Sequence, residues 1–589
     1  MASYIPPLAD MQFVLSDLLD APAALAALEP YAEIDADLMA QVIEEAGRFA
    51  SQVLYPLNAS GDREGCHFDD GKVTTPAGFA GAYRQFVDAG WPAMNCAPED
   101  GGQGLPHVLN CVLYEMLSAA NHAWTMYPGL LHGAYACLRT HASEELKERY
   151  LPKIVSGEWL ATMCLTEAAA GSDLGLLRTR AVPQDDGSVR ISGSKIFISG
   201  GEQDMTDNIV HLVLARLPDA PQGSKGISLF VAPKILPDGT RNRLQCTGIE
   251  HKMGLRGSAT CSMQFDGATG WLVGEPHRGL AAMFVMMNAA RLNTGIQALG
   301  VADAAYQHAL AYAHERQQLK APVRSGREHE PADPIAMHPP VQRLLMTQRA
   351  IVEGGRMLAC WAALQLDTAE HHADPQVRHT LHEQVSLITP IIKAMFSDQG
   401  FESTSLALQA FGGHGYICET GIEQYLRDVR VMMLYEGTNE IQALDLLMRK
   451  VIGDGGARLD HFLAAMKRDA QDERAGSARA WACALLELSR RTGAVAQTIA
   501  AVAPRHPELP CRIAGEMLRL VGHCALAWMW LRATDAAGKR EQRAPEFSRA
   551  KLATARYYFT YLLPETQQLL AMIDACLADE AVLSDFFAG

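Results

Sequence analysis

The hydrophobic period changes twice along this 589-residue chain, and that order limits the folds open to it. Between about residues 35 and 157, apolar side chains recur at i, i+3 and i+4. This spacing predicts helices over Ala36–Leu57, Pro76–Ala89, His107–Ala120 and Ser143–Val155. Gly- and Asp-rich breaks such as Pro98-Glu-Asp-Gly-Gly-Gln-Gly104 separate them. Residues 189–200, 208–217, 226–236 and 261–274 then alternate or run β-branched with turn residues between them, which predicts a β domain of roughly 115 residues. Helical spacing resumes at Gly279 and lasts to about Val451. Beyond the linker-like Gly453-Asp-Gly-Gly456, a further helical region reaches the C-terminus. The expected class is therefore mainly α with a central β domain. Its parts are an extension (1–35), a helical domain (36–157), the β domain (158–275), a helical bundle (276–455) and an added helical domain (456–589). The segment 321–340 contains five prolines and reads as an ordered surface loop. There is no internal repeat.

Composition removes several function classes. A formal charge of −16 and no basic stripe argue against a nucleic-acid partner, although single Arg residues and helix N-termini remain able to hold a phosphate. The N-terminus carries Asp10, Asp17 and Asp20 and lacks the basic start of a leader. The apolar run from Gly279 to Ala290 is broken by Arg291, so it reads as a buried helix, and no integral membrane segment is expected. Thirteen scattered cysteines without a C-x-x-C pair or a His/Cys cluster predict reduced thiols in a cytoplasmic protein and no metal site.

Chemistry concentrates in Val431-Met-Met-Leu-Tyr-Glu-Gly-Thr-Asn-Glu-Ile-Gln442. Glu436 stands between an apolar run and a helix start, with Asn439-x-x-Gln442 as a capping box. Against apolar neighbours a carboxylate can be raised toward neutrality and act as a general base on a weak carbon acid. A lone Glu beside Gly and Thr also reads as a solvated loop residue.

A family resemblance separates these readings. Ala161-Thr-Met-Cys-Leu-Thr-Glu-Ala-Ala-Ala-Gly-Ser-Asp173 resembles the first signature of the acyl-CoA dehydrogenases. Gln409-Ala-Phe-Gly-Gly-His-Gly-Tyr416, followed by Tyr425-Leu-Arg-Asp428 and Tyr435-Glu-Gly-Thr438, resembles the second. The resemblance covers about residues 40–455, and the extra tail is similar to that of roughly 600-residue bacterial members, which include long-chain fatty acyl-CoA and 3-methylmercaptopropionyl-CoA dehydrogenases. It implies the family fold: an N-terminal helical domain, a barrel-like middle domain and a four-helix bundle. It also implies FAD, because desaturation at Cα–Cβ needs a hydride acceptor and no side chain is one. By resemblance Glu436 is the base. Some relatives carry the base before an arginine corresponding to Arg291; here that position is Ala290.

The resemblance assigns further roles. Met163, Leu165 and Thr166 match the strand that touches the isoalloxazine, and Phe197 and Ser199 match a segment packing near the flavin and facing N5. Ser172 matches a serine near the flavin pyrophosphate and the pantetheine path. Arg316 and Gln318 match a segment that binds the pyrophosphate of a neighbouring subunit, and Gln409, Gly412 and Gly413 match a glycine turn serving the same phosphates. Thr438 and Glu440 fall near the adenosine. Ser172, Arg291, Tyr435 and Gly437 fall near the substrate. Thr420-Gly-Ile-Glu423 departs from the family's Pro-containing segment.

The expected reaction is conversion of an acyl-CoA, medium- to long-chain, to its trans-2-enoyl-CoA, with electrons passed to an electron-transfer flavoprotein. A 3-methylmercaptopropionyl-CoA dehydrogenase, an acyl-CoA oxidase and a non-catalytic acyl-CoA-binding scaffold are the alternatives. A homodimer is expected, because in large relatives extra C-terminal helices fill the place of a second dimer. Residues 456–589 read as a helical layer on the core. Their basic-aromatic stretch from Arg549 to Tyr561 also suits a partner or membrane surface.

Overall fold

In the computed structural model, which describes residues 3–324, 326–471 and 476–579, the alternating segments close on themselves. A hairpin of β1 (His67–Asp69) and β2 (Lys72–Thr74) stands apart from a seven-stranded sheet. That sheet comprises β3 (Leu160–Cys164), β4 (Arg180–Pro183), β5 (Val189–Ser199), β6 (Ile209–Arg216), β7 (Ile227–Pro233), β8 (Leu244–Ile249) and β9 (Thr260–Val273). Pairing runs β6–β4–β5–β9–β7 and returns to β6, so five strands form a closed ring. β3 joins β6 in parallel and β8 joins β9. β6 and β7 are buried almost throughout, hence their continuous apolar runs, whereas β5 and β9 alternate. Sequence periodicity points to four of these strands. β3, β4 and β8 have only 5, 4 and 6 residues, too few to display a period, and β4 ends in Pro183.

The strands belong to a unit formed by Ala46–Pro106 and Met116–Asn293. Its helical part has an aromatic core in which Phe49, Phe86 and Trp124 lie with ring centroids 5.3–6.0 Å apart. Tyr127 ties this part to the barrel: its hydroxyl accepts from Ala259 N–H at 2.8 Å and donates to Gly257 C=O at 3.3 Å. The helix expected over Ala36–Leu57 ends as α at Phe49. It continues as a π turn over Ala50–Leu54 and a 3₁₀ turn over Tyr55–Leu57, because Pro56 lacks the N–H that an α ladder needs. Leu131–His141 is a helix that periodicity misses; its Gly133 admits Met286, whose Cγ a Cβ there would approach to 2.9 Å.

A second unit contains Met1–Glu45, His107–Glu115 and Thr294–Gly589. The helices Pro339–His371 and Pro375–Ala410 form its frame. Two buried cations organise it. Arg356 reaches Asp10 at 2.5 Å, Glu115 at 2.6 Å and Asp303 at 3.7 Å. Lys551 contacts Asp10 and lies 2.6 Å from Glu353, which also holds Arg349 at 2.6 Å. Four carboxylates thus face three cations. Burial pushes Asp303 up to about 7, against the pull of Arg356, so the excess acid can shed its charge by holding a proton. Asp10 is also pushed up by burial, but Lys551 and Arg356 outweigh this and lower it to about 2.

The C-terminal helices pack on this frame. A Cβ at Gly354 would lie 2.8 Å from Trp530 Nε1, and one at Gly522 would lie 2.2 Å from Met395 Sδ, so both glycines permit close approach of Ala514–Arg540. The stretch Arg549–Tyr561, read above as a candidate surface, buries one face and leaves Arg549, Arg556 and Tyr561 exposed. Lys551 and Tyr558 are buried, Tyr557 bonds Thr347 Oγ1 at 2.7 Å, and Tyr561 lies beneath Arg343. Periodicity could not foresee this because the partners of Lys551 are hundreds of residues away in sequence. Among the described residues no helix is long and apolar enough to cross a membrane.

Lys551→Met leaves Asp10 and Glu353 without an ammonium, and the expected loss of stability is about 3–5 kcal/mol by thermal or denaturant unfolding. Asp303→Asn tests the charge balance. With a folded pKa of about 7 and an ordinary value of 3.8, Asp303 keeps its proton longer in the fold than in the unfolded chain. Wild-type stability therefore falls as pH rises between these values. The neutral amide of the variant has no such penalty, so its advantage should grow from pH 5 to pH 8 by an amount on the order of 2–4 kcal/mol. Parallel pH profiles of the unfolding midpoints would refute this.

Candidate active site

Glu436 lies in a bend between the 3₁₀ turn Arg430–Met433 and the helix Asn439–Leu444. The bend uses two consecutive left-handed residues, Glu436 at φ 57° and Gly437 at φ 84°. A non-glycine residue there stores strain that surrounding bonds must hold. Gln442 supplies one such bond, its Nε2 donating to Glu436 C=O at 2.9 Å. The capping box expected at Asn439 is replaced by Thr438, whose hydroxyl accepts from Ile441 N–H. Asn439 instead points inward, its Nδ2 donating to Ala394 C=O at 3.1 Å and Asp398 Oδ1 at 2.7 Å. Tyr435 donates its hydroxyl to Gln297 Oε1 at 2.9 Å. Burial, then the nearby Glu436 charge, pushes that phenol far up, so it stays neutral. Glu436 and Gly437 are half-buried, and Glu440 is exposed.

The helical unit brings a second group together. The Tyr312 ring stacks on Phe411 at 4.1 Å and its hydroxyl lies 3.3 Å from His414 Nδ1. This sets the end of the helix Gly279–Glu315, and Arg316 just after it, against the glycine turn that ends Pro375–Ala410. Arg316, Gln318, Gln409, Gly412 and Gly413 are all exposed. Gly412 adopts φ 58°, and a Cβ at Gly412 or Gly413 would meet nothing within 4 Å, so their backbone is open to close approach. Gly415 differs, since a Cβ there would stand 2.3 Å from Leu408 O. The proline-rich segment after Arg316 is ordered around buried Asp333, which takes Ala321 N–H at 2.8 Å, Arg324 at 2.5 Å and Arg327 at 3.2 Å. The Arg324 bond, against the cost of burial, holds that carboxyl well below its usual range. Leu319, in the same segment, has φ 58° and is 78% exposed.

In the barrel unit, Met163 lies near the end of β3, and Leu165 and Thr166 follow the strand. Lys195, fully buried on β5, donates to Leu165 C=O at 3.0 Å and to Glu167 Oε1 at 2.9 Å. Ile196 N–H donates to Thr166 C=O at 2.9 Å, which places Thr166 beside Phe197. Burial would raise Glu167, but Lys195 and the Thr179 hydroxyl keep it ionised below its ordinary value. Phe197 occupies the register shift between Lys195 and Ile198 with φ 60°, and this bulge turns its ring outward to 60% exposure. Ser199 is half-buried opposite Thr260, and Ser172 is exposed in the bend before Leu174. Arg291 is buried, its Nη1 3.4 Å from Asn288 Oδ1 and its guanidinium 5.7 Å from the Phe284 ring centroid. Ala290 beside it carries no carboxylate.

Among the described residues, seven non-glycine residues have left-handed backbones, and three of them, Phe197, Leu319 and Glu436, fall in segments singled out for the flavin or the base. Sequence reasoning did not single out Lys195, Gln297, Asp333 or Gln442 as functional side chains. Glu167, inside the first signature, and Gln442, at the end of the stretch 431–442, lay in segments with a local signal. In the helical unit, an exposed arginine and an open glycine turn suit a phosphate-bearing group.

A five-strand ring in one unit, and in the other helices of more than thirty residues with a half-buried carboxylate in a strained bend, agree with the fold and the base that the resemblance implies. The acyl-CoA dehydrogenase N-terminal, middle and C-terminal domain profiles match residues 39–158, 162–268 and 277–452, and an acetyl-CoA dehydrogenase C-terminal-like profile matches 458–582. The chain belongs to the acyl-CoA dehydrogenase family, whose members are FAD-dependent oxidoreductases. It is 40% identical over 572 residues to the 3-methylmercaptopropionyl-CoA dehydrogenase of Ruegeria pomeroyi, covering 96% of each chain. It is 33% identical to a broad-specificity linear acyl-CoA dehydrogenase of Mycobacterium tuberculosis, covering 98% of each. The fold of an acyl-CoA dehydrogenase complexed with FAD from Bacillus anthracis superposes with a TM-score of 0.74 at 19% identity, over 92% of this chain and 89% of that one.

Gly412→Ala places a Cβ in the left-handed region, at a cost of about 1–2 kcal/mol, without a clash. This tests the flavin-phosphate role that the resemblance assigns to the turn: roughly tenfold weaker FAD retention, measured by flavin fluorescence on dilution, is expected with the fold kept.

Proposed function

We propose that this protein removes hydrogen from Cα and Cβ of an acyl-CoA thioester and delivers the electrons to an electron-transfer flavoprotein. The observation that carries this reading is Glu436: a half-buried carboxylate whose own backbone is strained into the left-handed region, in a chain with Ala290 at the alternative position. The Glu436 carboxylate takes the α-proton. Its N–H donates to the thioester oxygen, where negative charge grows as that proton leaves. FAD, when bound, supplies the acceptor for the β-hydride. Met163, Leu165, Thr166, Phe197 and Ser199 are assigned to the isoalloxazine, and Ser172 to the pyrophosphate and pantetheine. Thr438 is assigned to the adenosine side, with its hydroxyl already engaged as a helix cap, and Glu440 beside it. Arg316, Gln318, Gln409, Gly412 and Gly413 would serve the pyrophosphate of a second subunit, which makes the working form a homodimer. Arg291, Tyr435 and Gly437 are assigned to the substrate.

Medium- to long-chain fatty acyl-CoA is the first substrate reading. The 40% identity to the Ruegeria pomeroyi enzyme over nearly the whole chain favours 3-methylmercaptopropionyl-CoA as the second. A panel of acyl-CoA thioesters, with anaerobic bleaching of the flavin as the readout, decides between them. Glu436→Gln should retain the yellow chromophore and lose about 10²–10⁴-fold in the bleaching rate. Wild-type bleaching by this variant would refute the assignment. Rapid reoxidation in air of the acyl-CoA-reduced wild type would reassign it as an oxidase.

A further inference from the structure

The mechanism leaves a buried lysine unused beneath the base. Lys393, fully buried in the helix Pro375–Ala410, sends its Nζ to Gly437 C=O at 2.7 Å and to Asn439 Oδ1 at 2.9 Å. Asn439 is fixed in turn by Ala394 C=O, by Ser397 Oγ at 3.0 Å and by Asp398. Gln442 holds the preceding carbonyl, Glu436 C=O. The two carbonyls that the left-handed pair turns inward are thus each held by a side chain, one of them an ammonium. A charge-assisted bond is roughly twice as strong as a neutral one, and each such bond opposes relaxation of the strained backbone.

The angle so held matters for the chemistry. Rotation about N–Cα of Glu436 sets the direction of its N–H relative to its Cα–Cβ bond. In the proposed reaction one residue uses both: the N–H meets the thioester oxygen while the carboxylate meets the adjacent α-hydrogen. Relaxation from φ 57° to an ordinary helical value would swing Cβ by ~120° about that axis and separate the two functions. We propose that Lys393 and Gln442 are positioning residues that clamp the Glu436–Gly437 backbone in its left-handed form, so that one residue presents oxyanion donor and base together. This inference rests on the assignment of Glu436 as the base.

Lys393→Met and Gln442→Leu test it in the FAD-loaded enzyme. Each should keep its flavin absorption and an acyl-CoA KM within about threefold of wild type, while the limiting rate of anaerobic flavin reduction falls about 30–100-fold. Because both variants release the same backbone angle, the double variant should lose far less than the product of the single losses. A role confined to stability would lower the unfolding midpoint and leave the limiting rate of the folded fraction unchanged. Glu436→Gln runs alongside. If it remains active, the assignment of the base has failed. If it is inactive while Lys393→Met reduces flavin at the wild-type rate, the clamp is wrong. Should Lys393→Met not fold or not retain FAD, Gln442→Leu decides alone, and a wild-type limiting rate there overturns the proposal.

Discussion

The helical unit depends on burying opposite charges where water cannot screen them. Arg356 and Lys551 join an N-terminal acid, a residue of the helix beginning at His107, two long central helices and a helix near the C-terminus. Attraction in such a site is large, but so is the cost of dehydrating each charge, and the arrangement holds only while every member is paired. Three cations against four carboxylates leave one acid in excess, and Asp303, farthest from Arg356 among that arginine's partners, is the carboxyl that burial raises to about 7. The N-terminal extension and the added C-terminal helices are thereby parts of the same core. Lys551 would otherwise read as one more solvated helix lysine.

The same pairing recurs on a smaller scale within each unit. Lys195 stands to the strand end at Leu165 as Lys393 stands to the bend at Gly437: a buried ammonium donating to a main-chain carbonyl that secondary structure leaves over. In both places the polar backbone group finds a charged partner within the protein, as burial requires. Two residues in unusual geometry are Phe197, which faces outward on its bulge, and Glu436, half-buried on its bend. Strain at such points persists where neighbouring bonds over-determine the backbone.

Much of this was readable from spacing and motif. The change from period 3.6 to period 2 and back located the barrel, the second signature singled out Glu436 and the glycine turn, and a separate matching segment singled out Arg316. What escaped had short or distant causes. β3, β4 and β8 are too brief to show a period, and Pro56 altered the type of a helical turn without ending it. At the bend, Asn439 carries a good capping side chain, yet the cap is Thr438, because Lys393, Ser397 and Asp398 on another helix draw Asn439 inward. No local rule could weigh those partners.

The sequence by itself determined the order of helical and barrel segments and the family, and it singled out Glu436 as the candidate base, because periodicity and motifs are local properties of the chain. Tertiary structure alone decided which lysines are buried, that burial raises Asp303, and that the backbone of Glu436 is left-handed. These follow from desolvation and from hydrogen bonds between residues far apart in sequence, and both exist only once the chain has packed.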